Sequence, residues 1–147
     1  MFKHILVPTD GSELSRKAAR GAVLFAKDCG ARVTALHVKP EPQLHYYLEG
    51  ARYDPSVLEK IAEATEREAH KYLDYVEDLC RDSGVRCARL IETSDDPYRV
   101  IIDAAIRNAC DLIFIGSHGR SGLAGLLLGS VTSKVLTHST IPVLVYR

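Results

Sequence analysis

The chain has 147 residues, of which 46% are hydrophobic and 26% charged, a composition that fits a folded domain and excludes disordered and fibrous classes. Lys plus Arg and Asp plus Glu each total 19, so no net charge draws the chain onto nucleic acid or anionic lipid. No apolar run approaches the ~20 residues of a membrane span, and the opening MFKHILVPTDGS lacks the pattern of a signal peptide. Neither a nucleic-acid nor a membrane partner is expected.

The length suits one domain over residues 1–147 with a core of its own. Cys29, Cys80, Cys87 and Cys110 show no CxxC pairing and no metal-like spacing with histidines. They read as reduced, mostly buried thiols of a cytoplasmic protein. The longest charged region, residues 59–81, alternates in sign and reads as a solvated helix face.

Residues 4–7 (HILV), bounded by Pro8, form a short apolar run of the kind buried on both faces of a parallel sheet. Thr9-Asp10-Gly11-Ser12 is a turn with Ser12 placed as a helix N-cap. The helix that follows turns Ala18, Ala19, Ala22, Leu24, Phe25, Ala26 and Cys29 toward cover, and Gly30 suits its C-cap. Residues 32–38 (RVTALHV) are rich in β-branched and apolar types and predict a second strand. Residues 39–54 hold Pro40, Pro42 and the tyrosines Tyr46, Tyr47 and Tyr53 without a sustained period, which predicts an exposed loop. Pro55 then fits N1 of a helix carrying Leu58, Ile61, Thr65, Tyr72, Val76 and Leu79 and ending near Ser83-Gly84.

Residues 85–92 (VRCARLIE) alternate and predict a third strand; Thr93 to Pro97 make a loop with acidic residues at a helix start. Val100, Ile101, Ala104, Ala105 and Ile106 define a short amphipathic helix, and residues 111–115 a fourth strand. Residues 131–138 lie in the last helix and residues 141–146 (IPVLVY) in the fifth strand. The order β-α-β-α-β-α-β-α-β predicts an α/β domain: an open, twisted, five-stranded parallel sheet with helices on both faces. Such sheets bind ligands beyond the carboxyl ends of strands, where the strand order reverses. The loops that begin at Pro8 and at Gly116 meet there if strands one and four are neighbours.

The second of these loops carries most of the chemistry. Residues 116–122 read GSHGRSG, and the chain passes Gly125 before Gly129-Ser130-Val131-Thr132. A strand that ends in glycines and restarts at a Gly-Ser step predicts a phosphate loop leading into a helix N-terminus, with Ser130 as N-cap. Glycines there admit positive φ and let backbone N–H groups approach a ligand. The spacing G-x2-G-x9-G-S is neither GxxxxGK[ST] nor GxGxxG after the first strand, so a P-loop NTPase is excluded. No G-x-S-x-G elbow frames Ser117 or Ser121, and no nucleophile pairs with His118, so no catalytic residue is assigned.

Gly116-Ser117-His118-Gly119, nine residues, then Gly129-Ser130-Val131-Thr132 resembles the ATP-binding motif of the universal stress protein family. The opening HILVPTDGS, the strand ending at His37-Val38 and the ending PVLVY resemble that family at the corresponding places, so the likeness spans the chain. It implies a Rossmann-like fold of the adenine-nucleotide α-hydrolase type. It also implies a nucleotide-dependent stress-response sensor that binds ATP, AMP or ADP with Mg²⁺ or Mn²⁺ and hydrolyses ATP slowly at most. By that resemblance Pro8, Thr9 and Asp10 line the adenine and ribose, and Val38 meets adenine through its backbone. Gly116, Ser117, His118, Gly119, Arg120, Ser121 and Gly122 wrap ribose and phosphates. Gly129, Ser130, Val131 and Thr132 hold the phosphates by N–H and hydroxyl groups.

Two residues keep more than one reading. Asp10 is a ribose, adenine or indirect metal contact, or an Asx-turn residue shaping the corner before Ser12. Its reading as a phosphoryl acceptor is weaker, because no matching lysine follows a later strand. Arg120 pairs with phosphate or faces solvent. The apolar final strand is a pairing liability unless covered, and in the family its equivalent pairs across a two-fold axis, which implies a homodimer. The competing reading is a dimeric interaction module of the same fold with no nucleotide. In either case a protein partner would be unidentified.

Overall fold

A computed structural model of the chain describes residues 1–43, 54–120 and 127–147. The expectations for Tyr46, Tyr47 and Tyr53 and for Ser121 and Gly122 lie outside the described residues. The elements run β1 (His4–Pro8), α1 (Glu13–Cys29), β2 (Arg32–Lys39), α2 (Pro55–Ser83), β3 (Cys87–Thr93), α3 (Pro97–Arg107), β4 (Leu112–Gly116), α4 (Ser130–His138) and β5 (Val143–Tyr146). This is the expected alternation. The strands form one sheet in the order β3-β2-β1-β4-β5, every neighbouring pair parallel. The chain steps outward from β1 to β3, then returns to the other side of β1 with β4, so the order reverses between β1 and β4.

Helices cover both faces. One core joins Ala18, Ala19, Ala22 and Ala26 of α1 with Leu73, Val76 and Cys80 of α2 and the odd-numbered residues Ile5, Val7, Val33 and Ala35 of the sheet. The other joins Leu6, Leu36, Ile113 and Ile115 with Ile101, Ala104 and Ala105 of α3 and Val135 of α4. That alternation of successive residues along each strand between the two cores is the two-residue period of a strand buried on both faces. The four fully buried alanines let α1 lie close to the sheet. Among the described residues no helix is long and apolar enough to cross a membrane.

The helix ends follow the turn chemistry. Ser12 Oγ accepts the Ser15 N–H at 3.2 Å, and Gly30 (φ 66°) and Gly84 (φ 72°) close α1 and α2 in the left-handed conformation. Asp54 caps α2 through the Ser56 N–H, with Pro55 in the first turn as expected.

Several expectations need correction. Leu24 is 60% exposed, because the buried stripe of α1 runs through residues 15, 18, 19, 22, 23 and 26 and leaves position 24 beside it. On α2 the buried row is Ala69, Leu73, Val76 and Cys80, not the earlier Leu58–Ile61–Thr65 set. A 29-residue helix spans about 44 Å, against about 26 Å for an eight-residue strand, so its first turns overhang the sheet. Val57 and Ile61 are accordingly exposed, as is Ile106 on α3. The third strand begins at Cys87 because the Val85 N–H closes the end of α2 on the Cys80 carbonyl. The fifth begins at Val143 because Ser139 binds both the N–H and the carbonyl of Ile141, holding that residue in a turn. Cys80 and Cys110 are buried, but Cys29 and Cys87 are only half-buried.

Candidate functional site

The carboxyl ends of β1 and β4 lie side by side where the sheet reverses, and the two predicted loops leave from them. Asp10 joins the loops. Its Oδ1 accepts the Ser12 N–H at 3.0 Å, the Asx turn anticipated for it, and its Oδ2 accepts the Arg120 N–H at 2.8 Å. Burial alone would raise the Asp10 carboxyl. Hydrogen bonds from the side chain and backbone of Ser12, from the Arg120 N–H and from Ser15 outweigh it and hold the group below its ordinary 3.8.

A carboxyl depressed in the folded state contributes stability above its unfolded value, and that contribution is lost as pH falls through the folded one. Asp10→Asn is expected to be less stable than the parent at neutral pH. Urea denaturation across a pH series should show the difference shrinking below about pH 3.9. A gap of constant size would mean that the charge of Asp10 does not matter.

The Pro8–Asp10 corner is fixed from three sides. The Thr9 N–H donates to the Leu36 carbonyl at 2.9 Å, the Thr9 carbonyl lies 2.8 Å from His37 Nδ1, and Thr9 Oγ1 lies 3.1 Å from Ser15 Oγ. Pro8 and Thr9 are buried, and Val38 is half-buried one strand away at the end of β2. Gly11 has φ +76°, and a Cβ there would sit 2.2 Å from the Tyr72 ring. Tyr72, from α2, also meets the His37 ring edge-on at 5.1 Å and carries the Arg120 guanidinium 4.9 Å above its centroid. Arg120 thus takes neither simple reading. It is exposed but stacked.

The second loop is built on backbone. The buried Ser117 donates its N–H to the Tyr146 carbonyl at 2.8 Å and accepts the Gly129 N–H on its own carbonyl at 2.6 Å. Its hydroxyl lies 3.1 Å from His118 Nδ1. The Thr132 hydroxyl, also buried, donates to the Gly116 carbonyl at 2.7 Å. These bonds pin the start of α4 against the end of β4. Gly129, not Ser130, is the N-cap: its backbone is extended (φ −69°, ψ 160°) and its carbonyl accepts the Ser133 N–H at 3.0 Å. Ser130 is already helical, so its side chain leaves from the first turn. Among the described residues no side chain caps this end, so the N–H groups of Ser130, Val131 and Thr132 lack intrahelical partners.

The glycines act through space and not through φ. Gly116, Gly119 and Gly129 all have ordinary negative-region backbones. A Cβ on Gly119 would lie 2.4 Å from Asp10 Oδ2, and one on Gly129 3.2 Å from His118 Cα and 3.3 Å from the Ser117 carbonyl oxygen. At Gly116 the nearest contacts would be an ordinary 3.5–3.6 Å.

Tyr72, Ser15 and His37 are the residues of this region that the sequence did not single out as site groups. Ser15 could have been found from its spacing three after the N-cap. Tyr72 carried no local signal, since it reaches Gly11 from a helix far along the chain. Among the described residues no group of three His, Cys, Asp or Glu side chains converges in a way that could hold a metal.

The model of the universal stress protein family matches residues 1–147. The chain belongs to the universal stress protein family. It is 36% identical to the universal stress protein YxiE of Bacillus subtilis (strain 168), over the full length of both chains. It is 33% identical to the universal stress protein MJ0531 of Methanocaldococcus jannaschii, covering 100% of this chain and 83% of that one. The solved structure of MJ0577, another universal stress protein of that archaeon, aligns with a TM-score of 0.82 at 30% identity, over 99% of this chain and 95% of the other. The five-stranded parallel sheet covered by helices on both faces is the fold shared with these universal stress proteins.

Proposed function

We propose that this universal stress protein binds an adenine nucleotide, ATP above AMP or ADP, at the junction of β1, β4 and α4, and that the bound nucleotide sets its activity as a stress-response regulator in the cytoplasm. The carrying observation is the join between two loops at the reversal of the sheet. The Asp10 carboxylate holds the Arg120 backbone, a Cβ on Gly119 would crowd that carboxylate, and the first N–H groups of α4, which have no intrahelical acceptors, follow Gly129 at the same junction. Family membership supports the same reading. More distant proteins of this fold have been solved with cAMP (22% identical), dAMP (20%) and AMP (17%), which shows that the fold accommodates such ligands.

In this reading Pro8, Thr9, Asp10 and the Val38 backbone face the adenine and ribose. Gly116, Ser117, His118, Gly119, Arg120, Ser121 and Gly122 surround the ribose and first phosphate. The N–H groups of Ser130, Val131 and Thr132 and the close-packed Gly129 take the remaining phosphates, where the positive end of α4 favours an anion. The Thr132 hydroxyl stays on the Gly116 carbonyl and is structural. Mg²⁺ or Mn²⁺ would enter with the phosphates. No general base or arginine finger is assigned, so hydrolysis is slow.

Calorimetric titration of nucleotide-free protein with ATP and with AMP, with and without Mg²⁺, tests this. Micromolar binding that favours ATP supports it. No binding in a folded sample would favour the interaction-module reading, and isolated turnover at ordinary enzyme rates, about 1–10³ s⁻¹, would overturn the regulator reading.

The homodimer is proposed through β5, which forms one edge of the sheet. The carbonyls of Pro142 and Tyr146 face β4, so Val143 and Val145 present their backbone groups outward. Val145→Pro removes one outward N–H and leaves the β4 ladder intact. It should sediment as a monomer at concentrations where the parent is a dimer; an unchanged dimer would put the interface elsewhere.

A further inference from the structure

Two of the four cysteines share one packed corner. Cys80, in the last turns of α2, has no solvent exposure, whereas Cys87 opens β3 at the sheet edge and is half-buried. Between them the chain turns through the left-handed Gly84, with the Val85 N–H donating to the Cys80 carbonyl at 2.8 Å. Cys87 stands opposite Val33 in the β2–β3 register and packs on the core cluster that holds Val33, Val76 and Cys80. The two thiols are near enough in this corner for each to shift the other's protonation. We propose that Cys80 and Cys87 form a reversible disulfide when the protein meets a hydroperoxide, which makes the α2–β3 corner a redox modification site.

The two sulfurs are not equivalent. The neighbouring Cys80 thiol holds the Cys87 thiol below its ordinary range, with help from the Ala35 backbone and Arg89, against burial and the Glu77 carboxylate. Cys80 moves the other way: its neighbour Cys87, burial and Glu77 all raise it. Arg89 is shared with Asp74 and Glu77, each at 2.7 Å, so it steadies the thiolate only in part. Cys87 is therefore the reachable sulfur and, of the pair, the one more readily deprotonated, the combination that reacts first with peroxide. Cys110 provides an internal contrast, buried in the opposite core with its thiol pushed up to about 11 by burial.

The chemistry balances with hydrogen peroxide as oxidant. The Cys87 thiolate attacks one peroxide oxygen; the S–O bond forms, the O–O bond breaks, and the departing hydroxide takes a proton to become water. Cys80 sulfur then attacks the Cys87 sulfenic sulfur. The S–S bond forms, the S–O bond breaks, and the second hydroxide leaves as water with the Cys80 proton. Two thiols have lost two electrons and the peroxide has gained them. A dithiol reverses the step by exchange.

Tryptic mapping separates the outcomes, because cleavage after Arg81 and Arg86 puts Cys80 and Cys87 on different peptides. The folded full chain is treated with a few equivalents of hydrogen peroxide, alkylated, and digested without reductant. The expected product joins the Cys80 peptide to Cys87-Ala88-Arg89, disappears with dithiothreitol, and forms equally in Cys29→Ser. Before oxidation, Cys87 should alkylate at least about tenfold faster than Cys110. In Cys87→Ser, Cys80 should resist peroxide. Cys87 over-oxidised without a cross-link, a bridge to Cys29 or between chains, or no reaction at Cys87 would each overturn the proposal.

Discussion

Replacing Gly119 and Gly129 together by valine is expected to weaken ATP binding at least about a hundredfold, close to 3 kcal/mol, with the fold retained. The Gly119 side chain would begin 2.4 Å from Asp10 Oδ2, so the carboxylate must leave the Arg120 N–H that it holds at 2.8 Å. The Gly129 side chain would press on His118 Cα at 3.2 Å and the Ser117 carbonyl at 3.3 Å, both backbone atoms with little freedom to yield. The start of α4 would then move away from the end of β4, and its open N–H groups with it. Gly119 is exposed and Gly129 half-buried, so the change should fall on binding more than on folding. Gly116→Ala is the control. Its Cβ would make only ordinary contacts with the protein, so it should lose far less affinity than the double valine variant. Calorimetry on the parent and both variants, with circular dichroism for the fold, gives the comparison. Parent-like affinity in the double valine variant would remove the glycine loop from the site.

Gly11→Ala should be among the most destabilising small substitutions in the molecule, by about 2–4 kcal/mol. Two costs add. The backbone at φ +76° disfavours any Cβ, and that Cβ would fall 2.2–2.5 Å from three atoms of the Tyr72 ring. The ring cannot simply swing away, because His37 meets its face at one side and Arg120 covers it at another. A double-mutant cycle separates the two costs. In a Tyr72→Ala background the steric part vanishes, and Gly11→Ala should cost only the backbone part, about 1–2 kcal/mol. Equal costs in both backgrounds, measured by urea denaturation, would show that Tyr72 yields freely.

Most of the architecture was legible because it rests on local chemistry. Apolar runs such as HILV and LIFI belong to strands buried on both faces, and Ser12, Gly30, Pro55 and Gly84 mark helix ends through their own backbone preferences. The motif around Gly116 and Gly129 was legible from its spacing, and the Asx turn of Asp10 from its residue type. Legibility failed wherever a neighbour distant in sequence decided the outcome. The periodicity of α2 could not show which of its turns overhang the sheet, so Ile61 was placed inward and Leu73 was missed. Ser130 looked like a cap by type, yet the bond from the Gly129 N–H to the Ser117 carbonyl makes Gly129 the cap and starts the helix one residue earlier.

The sequence by itself determined the alternating strands and helices, the parallel sheet, and the two loops that carry the candidate site, since each depends on residues close together in the chain. Only the tertiary structure decided that the Asp10 carboxylate would bridge to the Arg120 backbone, that Tyr72 would wall the candidate site beside Gly11, and that Cys80 and Cys87 would share one packed corner. Those contacts depend on strand order and on how far along α2 the sheet reaches, and no local pattern of residues encodes either quantity.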